Sequence, residues 1–338
     1  MSNVNPIGIR ARGGFLLLLL FVAAIAVLHS PASKADPFLS RDQNPFTMVY
    51  GQPLPTPARL PAPANPRFSV SLEIANTLNA ELTGNEELLI DFEGYNLTLG
   101  GVEALNKHWA LKLDLSFIYR SGGVFDHAID EWHKFFGLPR AYRPLVPDNN
   151  ITIYYASADA VNYGSNQSTS GIADSQLSLG RTLYQDEKTA VSAWAAIDLP
   201  LGDRRELRGN DDLDYSIWLA ASTGLGESSL LDTNIGVVLP GDSVLADLDT
   251  EDWVAFGHIG AQLTLNQRIA LKLQLSSHTG YYKDTALDFL GSSVILMFGG
   301  SINVGQCSAI DIGFGEDIDV GASPDASLLI SWKSRLGC

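Results

Sequence analysis

The sequence has few cysteines, few basic residues and few long apolar segments. Its two cysteines, Cys307 and Cys338, are too few to define a disulfide framework or a structural metal site. Lysine and arginine together number 22 against 38 aspartates and glutamates, which gives a formal net charge of −16. This balance argues against a nucleic-acid-binding protein, which would need a basic stripe. After the first 35 residues, no apolar run is long enough to form a membrane-spanning helix.

The first 35 residues have the organisation of a secretory signal peptide. Arg10 and Arg12 precede an apolar segment from Phe15 to Leu28, and Ser33-Lys34-Ala35 offers small residues at the −3 and −1 positions of a cleavage site. A transmembrane anchor is the alternative, but the apolar segment is short for a span of about 20 residues. We therefore predict a signal peptide at 1–35 and an exported chain that begins near Asp36.

The next segment, residues 36–66, is rich in proline between Pro53 and Pro66. Such a composition favours extended or polyproline II backbone. We predict a periplasmic lead-in at 36–66 that stays outside the folded core.

From Phe68 onward, apolar and polar residues alternate with a period of two. The pattern is clearest at 68–74, 109–119, 269–276 and 310–314, and it predicts half-buried β-strands. Between Phe92 and Tyr95 the apolar residues change from even to odd positions, which predicts a β-bulge at Gly94.

Two fold classes give this alternation: a soluble sandwich with its apolar face inside, and a membrane barrel with its apolar face in lipid. Strands of about ten residues, aromatic side chains at strand ends, and tight turns (LNKH, LNQR) alternating with long polar loops (LGDRRELRGNDDLD) favour the barrel. We therefore predict an all-β fold at 67–338: a transmembrane antiparallel β-barrel of about 12–14 strands.

Both chain termini of such a barrel face the periplasm, so the number of strands must be even. A first pass finds about thirteen strands. Splitting 151–167 into two short strands around Ser157-Ala158-Asp159 gives about fourteen, with twelve as the alternative. Either count places residues 121–149 in the longest outer loop.

Residues 121–140, SGGVFDHAIDEWHKFFGLPR, break the strand pattern and have helical periodicity. One face carries the apolar residues Phe125, Ile129, Trp132, Phe135 and Phe136. We predict an amphipathic helix that acts as a lid over the barrel mouth or a plug in its lumen. The alternatives are a helix resting in the outer leaflet and a helix that docks a partner or ligand. His127 and Glu131 are four residues apart, but no further metal ligands accompany them.

The helix segment, together with Asn44-Pro45-Phe46 and LPLGD at 199–203, resembles DUF3187, a family of uncharacterised bacterial outer-membrane barrels. The resemblance extends over most of the mature chain, and the helix segment is its specific part. It implies a bacterial outer-membrane location and a barrel fold, and it carries no established activity.

The sequence also predicts which groups face the lumen and which could meet ions. Lumen candidates are Glu73, Asp91, Glu93, Lys112, Asp114 and Lys272. Acidic loop residues at 211–214 and 247–252 are candidate ligands for divalent cations near lipopolysaccharide, beside the expected contact with outer-membrane lipid. The oligomeric state stays open.

These features predict a pore or small-solute transporter, with no enzyme activity, no cofactor and no metal site. The alternatives are a structural or interaction barrel with a filled lumen, and an outer-membrane lipid hydrolase. For the hydrolase, Ser276 and His278 would share one strand face, but no orienting carboxylate can be assigned.

Overall fold

The computed structural model describes residues 36–125, 131, 149–158, 160–318 and 321–336. The described residues contain fifteen antiparallel strands in one sheet. They are β1 (Arg67–Thr83), β2 (Glu86–Ala104), β3 (Trp109–Ser121), β4 (Thr152–Ser157), β5 (Ala160–Ser165), β6 (Thr169–Ile172), β7 (Ser175–Gln185), β8 (Thr189–Leu199), β9 (Asp214–Leu225), β10 (Ser229–Leu239), β11 (Val254–Thr264), β12 (Ile269–His278), β13 (Ser293–Val304), β14 (Ser308–Asp317) and β15 (Ala326–Arg335). Two single 3-10 turns, Arg204–Glu206 and Asp288–Leu290, lie in loops.

The sheet closes on itself as a barrel of twelve strands. Strand β15 pairs with β1, β1 with β2 and β2 with β3, while β7 to β15 follow one another as neighbours. Strand β3 also pairs with β7, which completes the ring. The predicted transmembrane barrel is confirmed, at the lower end of the predicted strand range.

The short strands β4 to β6 extend the wall beyond the ring and do not add to its circumference. Residues Glu86–Asp91 of β2 pair with β4, whereas Glu93–Ala104 pair with β3, so β4 continues the position of β3. Strand β5 pairs with β4 and β6 with the end of β3. The two short strands predicted within 151–167 therefore exist, but as a hairpin above the barrel, and the count stays at twelve.

The barrel strands place apolar side chains on the outer face and mostly polar side chains on the inner face, as expected for a wall between lipid and a lumen. On β3, Leu111, Leu113, Leu115 and Phe117 are exposed on the outside, whereas the alternate residues Ala110, Lys112 and Asp114 are buried inside. Strand β12 repeats this arrangement. A water-soluble sandwich would bury its apolar face, so this polarity supports a wall in contact with lipid.

The predicted β-bulge at Gly94 is wrong. Strands β1 and β2 pair without a register shift from Arg67↔Val102 to Thr83↔Glu86. Ile90 and Phe92 point inward, as do Asn96 and Thr98 further along the strand, so no change of face occurs. The apolar residues at 90 and 92 mark an apolar interior at this end of the barrel.

The two ends of the barrel have different connections. One end, called here the short-turn end, carries the tight connections 105–108, 186–188, 226–228, 265–268 and 305–307. The opposite, long-loop end carries the loops 200–213, 240–253, 279–292 and 318–325, the insertion 121–149 and one two-residue turn, 84–85. Cys307, in the last tight turn, is disulfide-bonded.

Most of the predicted helix at 121–140 lies outside the described residues. Within the described part of the chain, no helix is long and apolar enough to cross a bilayer.

Candidate functional site: a plugged lumen

Residues 36–60 lie inside the barrel and form a hairpin-shaped segment, called here the plug. The segment rises along one side of the lumen from the short-turn end, turns at 44–50 beneath the long loops, and descends on the other side. The prediction of a lead-in outside the core is wrong at these residues, because most of their side chains are buried against the barrel wall.

The ascending arm is fastened by polar contacts to the lumen wall. The N–H of Phe38 donates to Gln274 Oε1 at 2.9 Å, and Lys272 Nζ lies 4.9 Å from the centroid of the Phe38 ring. Ser40 Oγ donates to Glu73 Oε1 at 2.6 Å, and Gln43 Nε2 donates to Glu73 Oε2 at 3.1 Å. Glu73, a predicted lumen residue, thus holds this arm at two points.

The plug tip belongs to an apolar cluster that closes the long-loop end. Phe46, Val49 and Tyr50 are buried together with residues from loops 240–253 and 279–292 and from the wall, including Ile90 and Phe92. Tyr50 stacks on Tyr281 with ring centroids 4.9 Å apart, and the Tyr282 hydroxyl donates to the Phe46 carbonyl at 2.7 Å. Burial raises the pKa of Tyr50 to about 12, which keeps the phenol neutral in this cluster.

The descending arm contacts the opposite wall through its backbone. The N–H of Gly51 donates to Asp214 Oδ2 at 2.8 Å, and Gln176 Nε2 donates to the Gly51 carbonyl at 2.9 Å. Asn234 both accepts from the Thr56 N–H at 2.7 Å and donates to the Thr56 carbonyl at 3.0 Å. At the short-turn end, Arg59 donates to the Asp186 carbonyl at 2.8 Å.

Proline suits this arm because it removes backbone donors that an extended segment without a strand partner would leave unpaired. Pro53 and Pro55 fall between Gly51 and Thr56, whose backbones are bound by the wall, and Pro57 follows Thr56. The two arms are joined by Arg41, whose guanidinium donates to the carbonyls of Gln52 at 2.7 Å and Met48 at 3.2 Å.

Three further predicted lumen residues, Lys112, Asp114 and Lys272, are buried on the inner face and form ion pairs. Lys112 Nζ lies 2.7 Å from Asp114 Oδ2, and Lys272 Nζ lies 2.8 Å from Asp311 Oδ2. Lys333 shares the Asp311 carboxylate at 2.7 Å. Within the barrel interior, these charges are compensated by one another.

Asp91 and Glu93 do not face the lumen, which corrects their predicted placement. They share the outward face of β2 with Tyr95, because the register lacks the expected bulge. Loop residues cover both: Asn150 Nδ2 donates to Asp91 at 2.8 Å, and the Phe125 N–H donates to Glu93 at 3.1 Å. The described ends of the 121–149 insertion therefore lie on the outer face of the wall.

Of the predicted lid residues, only Phe125 is described, and its side chain is 40% exposed. Ile129, Trp132, Phe135 and Phe136 lie outside the described residues, as does His127.

The acidic loop residues mostly contact the protein itself. Asp214 begins β9 and binds Gly51, Asn210 and Gly241; Asp212 accepts the Asp242 N–H; Asp247 accepts from Tyr155 and Ser157. No group of three or more histidines, cysteines or carboxylates suited to a metal ion occurs in the described ranges.

His278 fastens the plug, and its ring has no nitrogen left for Ser276. Its Nε2 lies 3.0 Å from Asp42 Oδ2 of the plug, and its Nδ1 lies 2.9 Å from the Thr279 carbonyl. The Ser276 hydroxyl accepts from Gln274 Nε2 at 3.3 Å. This arrangement is not that of a serine nucleophile bonded to its general base.

The space left around the plug is uneven. Two cavities beside it measure about 20 and 10 Å³, around the size needed for a single water molecule. A third, of about 490 Å³, opens at the short-turn end beside the descending arm. The plug and the apolar cluster thus separate this cavity from the long-loop end.

Comparison with known proteins gives both the fold and the family. The crystal structure of the COG4313 outer membrane channel from Pseudomonas putida F1 has a similar fold, with a TM-score of 0.54 and 16% identity over 82% of this chain and 97% of that chain. The NanC porin aligns with a TM-score of 0.47 and 7% identity over 80% of this chain and 100% of that chain. No curated protein matches the sequence. The family model described as "Protein of unknown function (DUF3187)" matches residues 15–336, and the chain belongs to this family.

Proposed function

We propose that the protein is a bacterial outer-membrane channel for small solutes, closed at rest by its plug. The observation that carries the proposal is the plug itself: an extended segment held inside a closed barrel by side-chain and backbone hydrogen bonds. The barrel strands form their hydrogen-bond ladders with one another, and the plug takes no part in these ladders. The plug is thus able to leave or shift without opening the sheet.

The orientation follows from the loops. Barrels of this class have short periplasmic turns and longer outer loops, so the short-turn end faces the periplasm. The plug then enters from the periplasm, and its tip seals the outer mouth. The predicted helical lid at 121–149 stays a prediction, and closure by the plug does not require it.

Solute flux into liposomes tests this function. The full-length protein is expected to give slow swelling in small sugars and amino acids, and deletion of residues 38–58 should give rapid swelling. Deletion of 126–148 serves as the parallel variant, because it shortens the insertion and leaves the plug intact. Heat-modifiable gel migration controls for folding. Equal, slow swelling of full-length protein and folded plug deletion would remove the channel proposal.

A structural barrel with a permanently filled lumen is the second candidate. The shared carboxylate of Asp311 between Lys272 and Lys333 favours it, because such compensated charges are usual in a packed interior. In that case the plug deletion would unfold or stay impermeable.

A further inference from the structure

A row of acidic and amide side chains, called here the acidic row, crosses the inner face of β3, β7, β8 and β9. Asp114 of β3 is paired in register with Gln176 of β7, and Gln176 with Asp198 of β8. Asp198 is in turn paired with Asp214 of β9. All four side chains are buried. The row extends from the middle of β3 to the long-loop end of β9, so it lies along the route that a solute would take through the lumen.

Asp198 has a carboxylate without a bonding partner on the wall. Within the described part of the chain, it forms no hydrogen bond and no ion pair. Its side chain packs against the plug, since a Cβ added at Gly51 would lie 2.9 Å from Asp198 Cβ. It also lines the cavity of about 20 Å³, where Arg41 of the plug is the cationic residue of the lining. The guanidinium of Arg41 donates to plug carbonyls, so this cation moves with the plug and does not belong to the wall.

Gln176 contributes an unused acceptor to the same cavity. Its Nε2 donates to the Gly51 carbonyl at 2.9 Å, which fixes the orientation of the amide. Its Oε1 has no hydrogen-bond donor, although the side chain is only 6% exposed. An amide oxygen beside a carboxylate presents acceptors alone, so this water-sized space suits a water molecule or a small cation and disfavours an anion.

The lysines on the inner face of the described barrel strands are already neutralised by wall carboxylates. Lys112 Nζ lies 2.7 Å from Asp114 Oδ2. Lys272 and Lys333 share the Asp311 carboxylate at 2.8 and 2.7 Å. These ion pairs do not depend on the plug, so they persist when the plug moves.

The arginines of the inner face lie at the two ends of the barrel. Arg67 and Arg335 are at the short-turn end, where Asp36 lies 3.9 Å from the first and 3.7 Å from the second. Arg120 is at the long-loop end, and its guanidinium donates to two carbonyls of the loop 200–213. The charge of the lumen between these ends therefore depends mainly on its carboxylates.

Two of these carboxylates are held by neutral donors of the plug. Glu73 accepts from Ser40 and Gln43, and Asp214 accepts from the Gly51 N–H. When the plug moves, water replaces these donors. Glu73, Asp214 and Asp198 then face a hydrated lumen, where ordinary carboxyl groups are ionised at neutral pH.

We infer that the opened channel selects cations and that its solutes are small organic cations such as amines. Carboxylates that line a narrow path between low-dielectric walls raise the local concentration of cations and repel anions. Asp198 and Asp214 supply this charge on one side of the lumen, and Glu73 supplies it on β1. The inference names the solute class of the proposed channel and rests on that function.

The test is the reversal potential of the full-length protein in planar bilayers that hold many copies, because this quantity does not depend on how often the plug opens. A KCl gradient is applied first, and lysine hydrochloride then replaces KCl. Asp198→Asn/Glu73→Gln is the test variant, and Asp198→Asn alone accompanies it because Asp198 has no hydrogen bond to lose. Glu103→Gln is the matched control, since Glu103 is an exposed carboxylate on the outer face of β2.

Wild type and Glu103→Gln should give the same reversal potential, with potassium about ten-fold or more permeant than chloride. The preference should weaken as salt rises, because the Debye length falls from about 30 Å at 0.01 M to about 3 Å at 1 M. The single variant should shift the reversal potential towards zero and the double variant should shift it further, and the lysine cation should carry current in place of potassium.

A preference for chloride, or equal selectivity of wild type and the folded variants, would overturn the inference. Failure of the lysine cation to carry current would overturn the assignment to organic cations. Absence of any current would remove the proposed channel and this inference with it, whereas current without cation preference would remove the inference alone.

Discussion

At the scale of single residues, Gly51 is a position where the plug backbone lies very close to the barrel wall. A Cβ added there would lie 2.8 Å from Asp214 Cβ and 2.9 Å from Asp198 Cβ, so either the plug backbone or these wall residues must move. Gly51→Ala is therefore expected to loosen the descending arm and raise channel opening in single-channel recordings. Gly224→Ala is the matched control, since its added Cβ meets no atom closer than 4.0 Å. Equal opening of both variants would show that this contact does not hold the plug.

His278 provides a second test at this scale. His278→Ala leaves the Asp42 carboxylate of the plug without its partner on the wall. The free energy of local opening of the plug should fall by about 1–3 kcal/mol, the usual cost of an unsatisfied buried group. Hydrogen exchange of residues 38–50 measures it. His258→Ala is the control, because His258 pairs with Asp232 of the wall at 2.9 Å and makes no such contact with the plug. Unchanged exchange in His278→Ala would contradict the fastening role.

At the scale of structural elements, the sequence predicted the barrel strands but not the plug, and the difference has a physical reason. Alternation along β3 and β12 identifies strands because lipid and interior impose opposite polarity on successive residues. The same rule misplaced Asp91 and Glu93. It treats apolar residues as lipid-facing, whereas Ile90 and Phe92 point inward and belong to the apolar cluster at the long-loop end. The plug has no periodicity, and its partners are polar groups on distant strands. Its prolines indicate only extended backbone, so its location was not predictable from pattern.

Contact between the outer face of the strands and lipid can be tested by placing an arginine at two different depths along the barrel wall. Leu113→Arg places a charge on the exposed outer face of β3, and should lower the free energy of unfolding in lipid vesicles by about 2–4 kcal/mol if the site is near the bilayer centre. Leu105→Arg, in the turn 105–108, should cost about 0–1 kcal/mol. Urea titrations of both variants measure the difference, and equal costs would mean that this face of β3 does not meet lipid.

At the scale of the whole molecule, the barrel encloses the plug, and a cavity remains beside the plug at the short-turn end. The sequence predicted the class of barrel and the family, because both depend on a pattern repeated along the chain. It did not predict that residues 36–60 occupy the lumen, because this depends on contacts between residues far apart in sequence, such as Glu73 with Ser40 and Asn234 with Thr56. The predicted helical lid at 121–149 stays a prediction, because most of its residues lie outside the described ranges. Within the described ranges, the N-terminal segment 36–60 occupies the lumen.

The most direct test of plug closure is the ionic current through single barrels in planar bilayers. Full-length protein should show little current, and the variant lacking residues 38–58 should show large, stable steps, because the deletion removes the segment that fills the lumen. Gel migration would establish that both proteins are folded barrels. Large steps from the full-length protein, or no current from the folded deletion variant, would contradict the account.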